Sequence, residues 1–407
     1  MIFALPAVQV ASADTLLGTI LVGTHVPTPG YNPSNGNLYI SNYDLGTVSV
    51  ISSQTNAVLA EILVGAYPLT AVYDPNNENM YVSNFGNGSV SVIFGAGNTL
   101  STNIQVGENP LMPAIDPNNG DVYVSNYANS TVSVLSVYGF ANTVIANITV
   151  GPAPTGAVFD SINGNIYVAN NEGGSVSVIS GASNTVIATI HVGGAPSGAV
   201  FDPANGNIYV TNIVKAQALG PNQSPGTVDV ISGASNKVIA TIAVGVSPET
   251  PVVNPVNGNI YVANNEADTV SVISGTSNKV IATVPVGNLP STPAVNPING
   301  NVYVSNQFIG HTNGTVSVIS GTSNKVIETL TVGNLPVTPA FDPANGRIYV
   351  PNYGDWTLTV INPTVPVSPA LGLPTSFDTT IFLAVAGVAV AFVVTSSILA
   401  VRRIKRS

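Results

Sequence analysis

The sequence predicts an all-β protein: a closed β-propeller of eight four-stranded blades, its N-terminal strand completing the last blade, plus one C-terminal transmembrane helix. Three observations carry this. A unit of about 42 residues recurs eight times, and such a period marks one supersecondary unit that buries its apolar faces only against its neighbours. Each unit holds four short β-branched and aromatic runs separated by Gly, Pro, Asn or Asp. An uncharged apolar run, from Ile381 to Val401, stands alone near the end of the 407-residue chain.

The fifth unit shows the elements in order. Thr185 to Gly193 (TVIATIHVG) is a strand ending in Val-Gly. Pro196 to Asp202 (PSGAVFD) is a second strand, and Pro203-Ala-Asn-Gly206 is the turn that follows it. Proline fixes φ there and Gly accepts positive φ, as a tight turn requires. Asn207 to Asn212 (NIYVTN) and Thr227 to Ser232 (TVDVIS) are the remaining strands. In a propeller the Pro-x-x-Ala-Val-Phe-Asp strand lies innermost, where small residues such as Ala71, Ala114, Ala157, Ala199, Ala294 and Ala340 suit a crowded axis. The Tyr-Val-x-Asn strand is second, Val-Ser-Val-Ile third, and Val-Ile-Ala-Thr-Ile outermost.

The chain begins with an outer-type strand (Leu16 to Val22) and its repeats finish with a third-type strand (Thr357 to Ile361). Joining them completes an eighth blade and removes the open edge. A solenoid would carry distinct capping repeats, and neither end has one.

The second-strand signature is Tyr39-Ile-Ser-Asn42, Tyr81-Val-Ser-Asn84, Tyr123-Val-Ser-Asn126, Tyr167-Val-Ala-Asn170, Tyr209-Val-Thr-Asn212, Tyr261-Val-Ala-Asn264, Tyr303-Val-Ser-Asn306 and Tyr349-Val-Pro-Asn352. With Val-Gly, Asp-Pro-x-Asn-Gly and Val-Ser-Val-Ile, it resembles the YVTN family of β-propeller repeats over about residues 15–361. Members of that family are often seven-bladed, and this chain departs from them with eight units. The resemblance implies an archaeal surface-layer or other cell-surface protein. The asparagines are expected to cap their own strand ends through nearby backbone, and the tyrosines to pack between blades.

Residues 1–13 resemble a signal peptide, with Ala11-Ser-Ala13 as a cleavage-like end but no basic leader; an upstream start and an atypical peptide both fit. Residues 14–362 form the propeller, and 363–379 a Pro-rich spacer that favours extended chain. Residues 380–401 are long enough to cross a ~30 Å hydrocarbon core. Residues 402–407 follow with Arg402 and Arg403 leading the basic cluster, which places the tail in the cytoplasm and the propeller outside.

No cysteine is present, so disulfides, thiol nucleophiles and thiolate metal sites are excluded. All 19 acidic residues precede the apolar run, against five of the nine basic ones, which opposes binding to phosphate backbones. Nucleic acid is not an expected partner. Other surface proteins or glycans are, with the membrane reached through the C-terminal helix.

Propeller topology collects Asp44, Glu108, Glu172, Glu249, Glu266, Asp268 and Asp355 on one face, with insertions around residues 213–224 and 309–313. Lys237, Lys279 and Lys325 fall on the other. Loops that lengthen on a regular scaffold are where binding concentrates. Glu249, Glu266 and Asp268 are the candidate Ca²⁺ ligands, oxygen donors of the type a hard cation takes; no other cofactor is expected. Asn87, Asn129, Asn147, Asn222 and Asn313 head Asn-x-Ser/Thr sequons. The three histidines, His25, His191 and His311, suggest no zinc site, and no Gly-x-Ser-x-Gly elbow is present. No catalytic residue is assigned. The expectation is a membrane-anchored binding or adhesion protein, or one associated with a surface layer. The alternatives are a purely architectural envelope component and an extracytoplasmic hydrolase or lyase. Loop aromatics Phe308, Tyr353 and Trp356 favour contact with a ligand or partner if exposed.

Overall fold

The computed structural model describes residues 13–136, 142–214, 224–308 and 313–364. Their strands form eight separate four-stranded sheets, every neighbouring pair antiparallel. The first blade runs outward from the axis as Gly30–Asn32, Asn37–Asn42, Thr47–Ser52 and Val58–Leu63. Six blades repeat it. The eighth takes Ala340–Phe341, Ile348–Asn352 and Thr357–Asn362 from the end of the ring and Thr15–Leu21 from its beginning. Thr15 pairs with Asn362 and Leu21 with Thr357, the expected closure of one strand plus three. Among the described residues there is no helix, hence none long and apolar enough to cross a membrane. The expected span and basic tail lie outside the described residues, as do residues 1–12.

Burial follows position in the blade. The second strand of the third blade, Val122–Asn126, is buried at every residue because adjacent blades cover both its faces. Its sequence therefore reads as apolar without alternation. In the outer strand Thr143–Thr149 only Ile148 is buried, and the rest faces the rim or half-faces the next blade. The axis is crowded: a β-carbon added to Gly30 would lie 2.1 Å from the Ala71 carbonyl oxygen of the next inner strand. Every third-to-outer pairing carries an irregularity in register, as between Val134 and Leu135 or Leu16 and Gly18. Such bulges twist an exposed edge away from flat pairing with another chain.

The eight signature tyrosines are fully buried and pack between blades. Most phenols reach the asparagine of the third-to-outer turn in the next blade. Tyr123 donates to Asn184 Oδ1 at 2.6 Å, Tyr167 to Asn236 at 2.6 Å, Tyr209 to Asn278 at 3.0 Å and Tyr261 to Asn324 at 2.8 Å. That asparagine sits at positive φ, a conformation Asn tolerates. The Asp-Pro-x-Asn-Gly asparagine makes a second latch: Asn163 Nδ2 donates to Gly233 O of the next blade at 2.9 Å and Asn257 Nδ2 to Gly321 O at 2.7 Å. Asn345 closes the ring in the same way onto Ser53 O of the first blade, at 2.9 Å.

Between the seventh and eighth blades Asp14 takes the place of the turn asparagine. Its carboxylate accepts the Tyr303 phenol at 2.6 Å and the Thr364 amide at 2.7 Å, so one side chain ties together both ends of the ring. Burial, with Asp14 beside it, pushes the Tyr303 phenol well above the ordinary tyrosine value.

The signature asparagines act differently from the expectation. Asn42 Oδ1 accepts the amide of Gly23 in the preceding outer-to-inner connection at 2.9 Å. Its Nδ2 donates to Thr47 Oγ1 at 2.8 Å and Ser49 Oγ at 2.9 Å on the third strand. Asn84, Asn126, Asn264 and Asn352 hold Gly65, Gly107, Gly245 and Gly333 likewise. The role is structural, but the backbone held belongs to the loop leading into the blade and not to the strand's own end. Glycine is required there because the amide lies over it: a β-carbon on Gly245 would approach Asn264 Cβ and Cγ to 2.6 Å.

Candidate binding site on the loop face

Antiparallel blades sort their connections between two faces. Inner-to-second and third-to-outer turns, with Lys237, Lys279 and Lys325, share a regular turn face. Second-to-third and outer-to-inner connections make up the loop face. Two positions recur there: the residue after the signature asparagine, in every blade, and a left-handed residue in the loop leading into the blade, in all but the fifth.

The first of these positions is aromatic in four consecutive blades across the ring closure: Tyr353, Tyr43, Phe85 and Tyr127. In the other four it is Asn171, Ile213, Asn265 and Gln307. The two asparagines are spent on structure, donating to Pro196 O at 3.0 Å and Pro290 O at 3.1 Å of the adjoining blades. Tyr43, Phe85 and Tyr127 pack over two buried leucines, Leu69 in the inner strand of the second blade and Leu111 in the connection leading into the inner strand of the third.

The left-handed position contributes His25, at φ 49°, and Tyr67, at φ 53°. Tyr353 of the eighth blade stacks on His25 of the first, with centroids 4.4 Å apart and planes at 28°. Tyr43 of the first blade stacks on Tyr67 of the second, at 4.8 Å and 20°. Asp44 joins the two pairs. Its carboxylate contacts His25 Nδ1, and both partners stay partly exposed, at 36% and 43% for the side chains. Burial is the main cause pushing the Tyr353 and Tyr43 phenols above their ordinary value, and the nearby Asp44 charge adds to it. Tyr67 remains 46% exposed.

Phe85 also lines an open cleft of about 640 Å³ between the second and third blades, with Asn87, Gln105, Glu108, Asn109 and Asn129. Asn109 Nδ2 donates to Phe85 O at 3.1 Å, and Asn129 Oδ1 accepts the Glu108 amide. The cleft is thus walled by side-chain amides, one carboxylate and one aromatic ring.

The candidates named from sequence are placed as follows. Asp268 is a loop cap: it stands at φ 54° and its Oδ1 accepts the Leu289 amide at 2.9 Å. Glu249 and Glu266 each have an interaction partner, and their backbone amides bond Ala263 O and Val246 O. Among the described residues no three His, Asp or Glu side chains gather closely enough to hold a metal ion. Asp355 Oδ2 accepts the Asn334 amide at 2.6 Å. Of the sequon asparagines, Asn87 and Asn129 are exposed in loop-face connections, and Asn313 is exposed at the start of the third strand of the seventh blade. Asn147 is exposed on an outer strand, where its Oδ1 accepts the Ser133 hydroxyl at 2.8 Å. Asn222 and His311 lie outside the described residues. His191 is exposed on an outer strand. Phe308 and Trp356 are 48% and 46% exposed.

Tyr43, Tyr67, Phe85 and Tyr127 were not singled out by sequence reasoning, which followed charges, insertions and isolated aromatics. The signal was present: aligning the repeats on the signature asparagine shows the next residue aromatic in four units that become contiguous only once the ring closes.

No protein-family model matches the chain, and no curated protein matches it. Many solved structures do. The Dos1 propeller is 10% identical with a TM-score of 0.69, covering 86% of this chain and 95% of that one. Dihydro-heme d1 dehydrogenase NirN, in complex with DHE, is 15% identical with a TM-score of 0.63, covering 77% and 67%. Hydrazine synthase of Kuenenia stuttgartiensis is 18% identical with a TM-score of 0.57, covering 73% and 96%. At these identities the likeness concerns the eight-bladed propeller fold alone.

Proposed function

We propose that this chain is a YVTN-type propeller held outside the cell by a C-terminal membrane anchor, and that it binds surface partners through its loop face. The observation that carries the reading is the inequality of the two faces. The turn face is spent on latches repeated from blade to blade. The loop face breaks the repeat with half-exposed aromatic rings, carboxylates and an open cleft on four adjoining blades. Binding residues concentrate on connections presented by a rigid scaffold. The anchor rests on the apolar run ending at Val401 and the four basic residues after it.

Two experiments test this. In intact cells carrying the full chain, a tag appended after Ser407 is expected to be shielded from external protease while the propeller is labelled from outside; a C-terminal tag open to the medium sinks the topology. Purified protein is expected to sediment with envelope fragments of its source organism, and the charge reversals Glu108→Lys and Glu172→Lys are expected to weaken this. No co-sedimentation sinks the binding role.

One observation favours the architectural reading second. The outer strands expose one large aliphatic side chain at equivalent rim positions in seven blades: Leu17, Leu59, Ile145, Ile187, Ile239, Ile281 and Ile327, each about half exposed. A belt of this kind suits lateral contact between copies.

A further inference from the structure

We propose that the aromatic arc at the eighth, first and second blades, continued by the cleft between the second and third, is a binding site for a neutral glycan. This rests on the reading that the loop face binds, and it names the ligand class for that face.

The rings argue for flat, apolar platforms. Tyr353 lies on His25 and Tyr43 on Tyr67 in near-parallel pairs, so each pair hides one face of each ring, and Tyr67, 46% exposed, presents the most open plane of the four. An aromatic cage for an ammonium group needs ring faces converging on a point, which paired stacking does not provide. A sugar ring has the complementary build, a C–H face that lies on an aromatic plane and hydroxyls around its edge.

The polar groups beside the platforms suit those hydroxyls. Asp44 and His25 supply an acceptor and an imidazole between the two stacks. The cleft adds the Gln105 amide, the Glu108 carboxylate and the remaining half of three amides, since Asn87 Oδ1, Asn109 Nδ2 and Asn129 Oδ1 already bond Ser89 Oγ, Phe85 O and the Glu108 amide. Side-chain amides donate and accept without charge, as recognition of hydroxyls requires. Neither lysine nor arginine lines the cleft, and Asp44, Glu108 and Asp355 make the surroundings negative. An anionic glycan would meet repulsion. Distance along the arc favours an oligosaccharide over a single sugar: Phe85 belongs both to the ring cluster over Leu69 and Leu111 and to the cleft wall, so the two features are continuous.

The test uses the full chain, purified in a polyoxyethylene detergent from a host that does not N-glycosylate. The neutral probes are maltopentaose, cellopentaose, mannopentaose and chitopentaose. Polygalacturonate and tetramethylammonium serve as the anionic and cationic probes. Binding is read by calorimetry and saturation-transfer NMR. At least one neutral probe is expected to bind, with about tenfold loss of affinity in Tyr67→Ala and in Phe85→Ala. Tyr67→Phe, which keeps the stacked ring, and Phe308→Ala, on the seventh blade, should bind as the native chain does. Melting curves confirm that each variant is folded.

The proposal is overturned if none of the four neutral probes binds at millimolar concentration, if binding ignores both alanine variants, or if tetramethylammonium alone binds. Envelope sedimentation separates the two readings. If it persists in a chain that binds no neutral probe, the binding role stands and the glycan assignment falls.

Discussion

The first residue of each Asp-Pro-x-Asn-Gly turn is an aspartate in five blades and an asparagine in three, and that difference is expected to make the ring more stable in acid. Asn32 Nδ2 donates to Glu78 O of the next blade at 3.1 Å, and Asn254 Nδ2 to Gly300 O at 2.8 Å. The slot therefore presents a carbonyl that wants a donor. In the aspartate blades Oδ1 still accepts the amide two residues on, as Asp74 does from Asn76 at 2.9 Å. The second oxygen takes the donor's place. A β-carbon built at Gly181 would meet both Gly164 O and Asp116 Oδ2, and one at Gly321 would meet both Gly300 O and Asn254 Nδ2. Asp74 Oδ2 is buried with no hydrogen-bond partner among the described residues, whereas Asp342 has the Ser53 and Tyr31 hydroxyls beside it. A carboxyl group there bonds the carbonyl only when it carries a proton.

Burial accordingly raises Asp74 from 3.8 to about 6 and raises Asp116, Asp160, Asp202 and Asp342 as well. The groups facing Asp74 are Tyr81, Tyr73 and, near the latter, Glu78; none is a cation. Asp342 faces Tyr31, Tyr349 and Arg347, and the arginine partly offsets its shift. A carboxyl whose folded pKa lies above its unfolded value adds stability that is complete below the unfolded pKa and lost as pH rises through the folded one. For Asp74 the window runs from 3.8 to about 6. A shift of roughly two units corresponds to about 3 kcal/mol, a substantial share of the roughly 5–15 kcal/mol that holds a domain folded. The assay is thermal unfolding of the native chain and of Asp74→Asn from pH 3 to pH 8. The native midpoint should fall as pH rises from 4 to 7. Asp74→Asn should melt higher at pH 7, with a flatter profile. A native chain that gains stability from pH 4 to 7, or an asparagine variant that melts lower at pH 7, would refute the latch.

Three other outcomes follow from the same contacts. Tyr209→Phe should cost about 1 kcal/mol in urea unfolding, and much of that cost should vanish when Asn278 is already alanine, since the phenol bonds that amide. Gly245→Ala should destabilise by about 1–3 kcal/mol because its β-carbon meets Asn264 Cβ and Cγ; pairing it with Asn264→Gly, which removes both atoms, should recover part of the loss, and strict additivity would contradict the contact. Asp14→Ala should speed amide exchange in the strand Thr15–Leu21 and in its partner Thr357–Asn362 more than in any other blade; uniform exchange across the blades would show that the side chain does not hold the closure.

Strand order, the sorting of charges between faces and the joining of the two ends were legible because a repeat states its own alignment eight times. What an asparagine such as Asn42 touches was not. Its partner Gly23 lies 19 residues earlier, and nothing in local spacing says that the loop leading into a blade folds over that blade's own second strand. The coupling of Val-Gly to Tyr-Val-x-Asn becomes visible only with the packing in view. The aromatic arc escaped for a related reason. Tyr353 and Tyr43 stand at opposite ends of the repeat region, and ring closure is what makes them neighbours around His25 and Asp44. Asp268 shows the converse: a carboxylate that reads as a ligand from composition is occupied by the Leu289 amide.

The strand that completes the eighth blade also sets an order of events during synthesis. Thr15–Leu21 leaves the ribosome before the other strands of the ring, yet the strand it pairs with, Thr357–Asn362, is made only after seven blades have been translated. Until then the first-made segment has no sheet to join, and afterwards the newly made third strand keeps a bare edge until the older segment arrives. Closure is thus the slowest contact to search for by sequence separation, and Asp14 acts as a late check that holds only when both ends have come home. A circular permutant opened between two blades, with residues 13 and 364 linked, would turn that long search into a local hairpin.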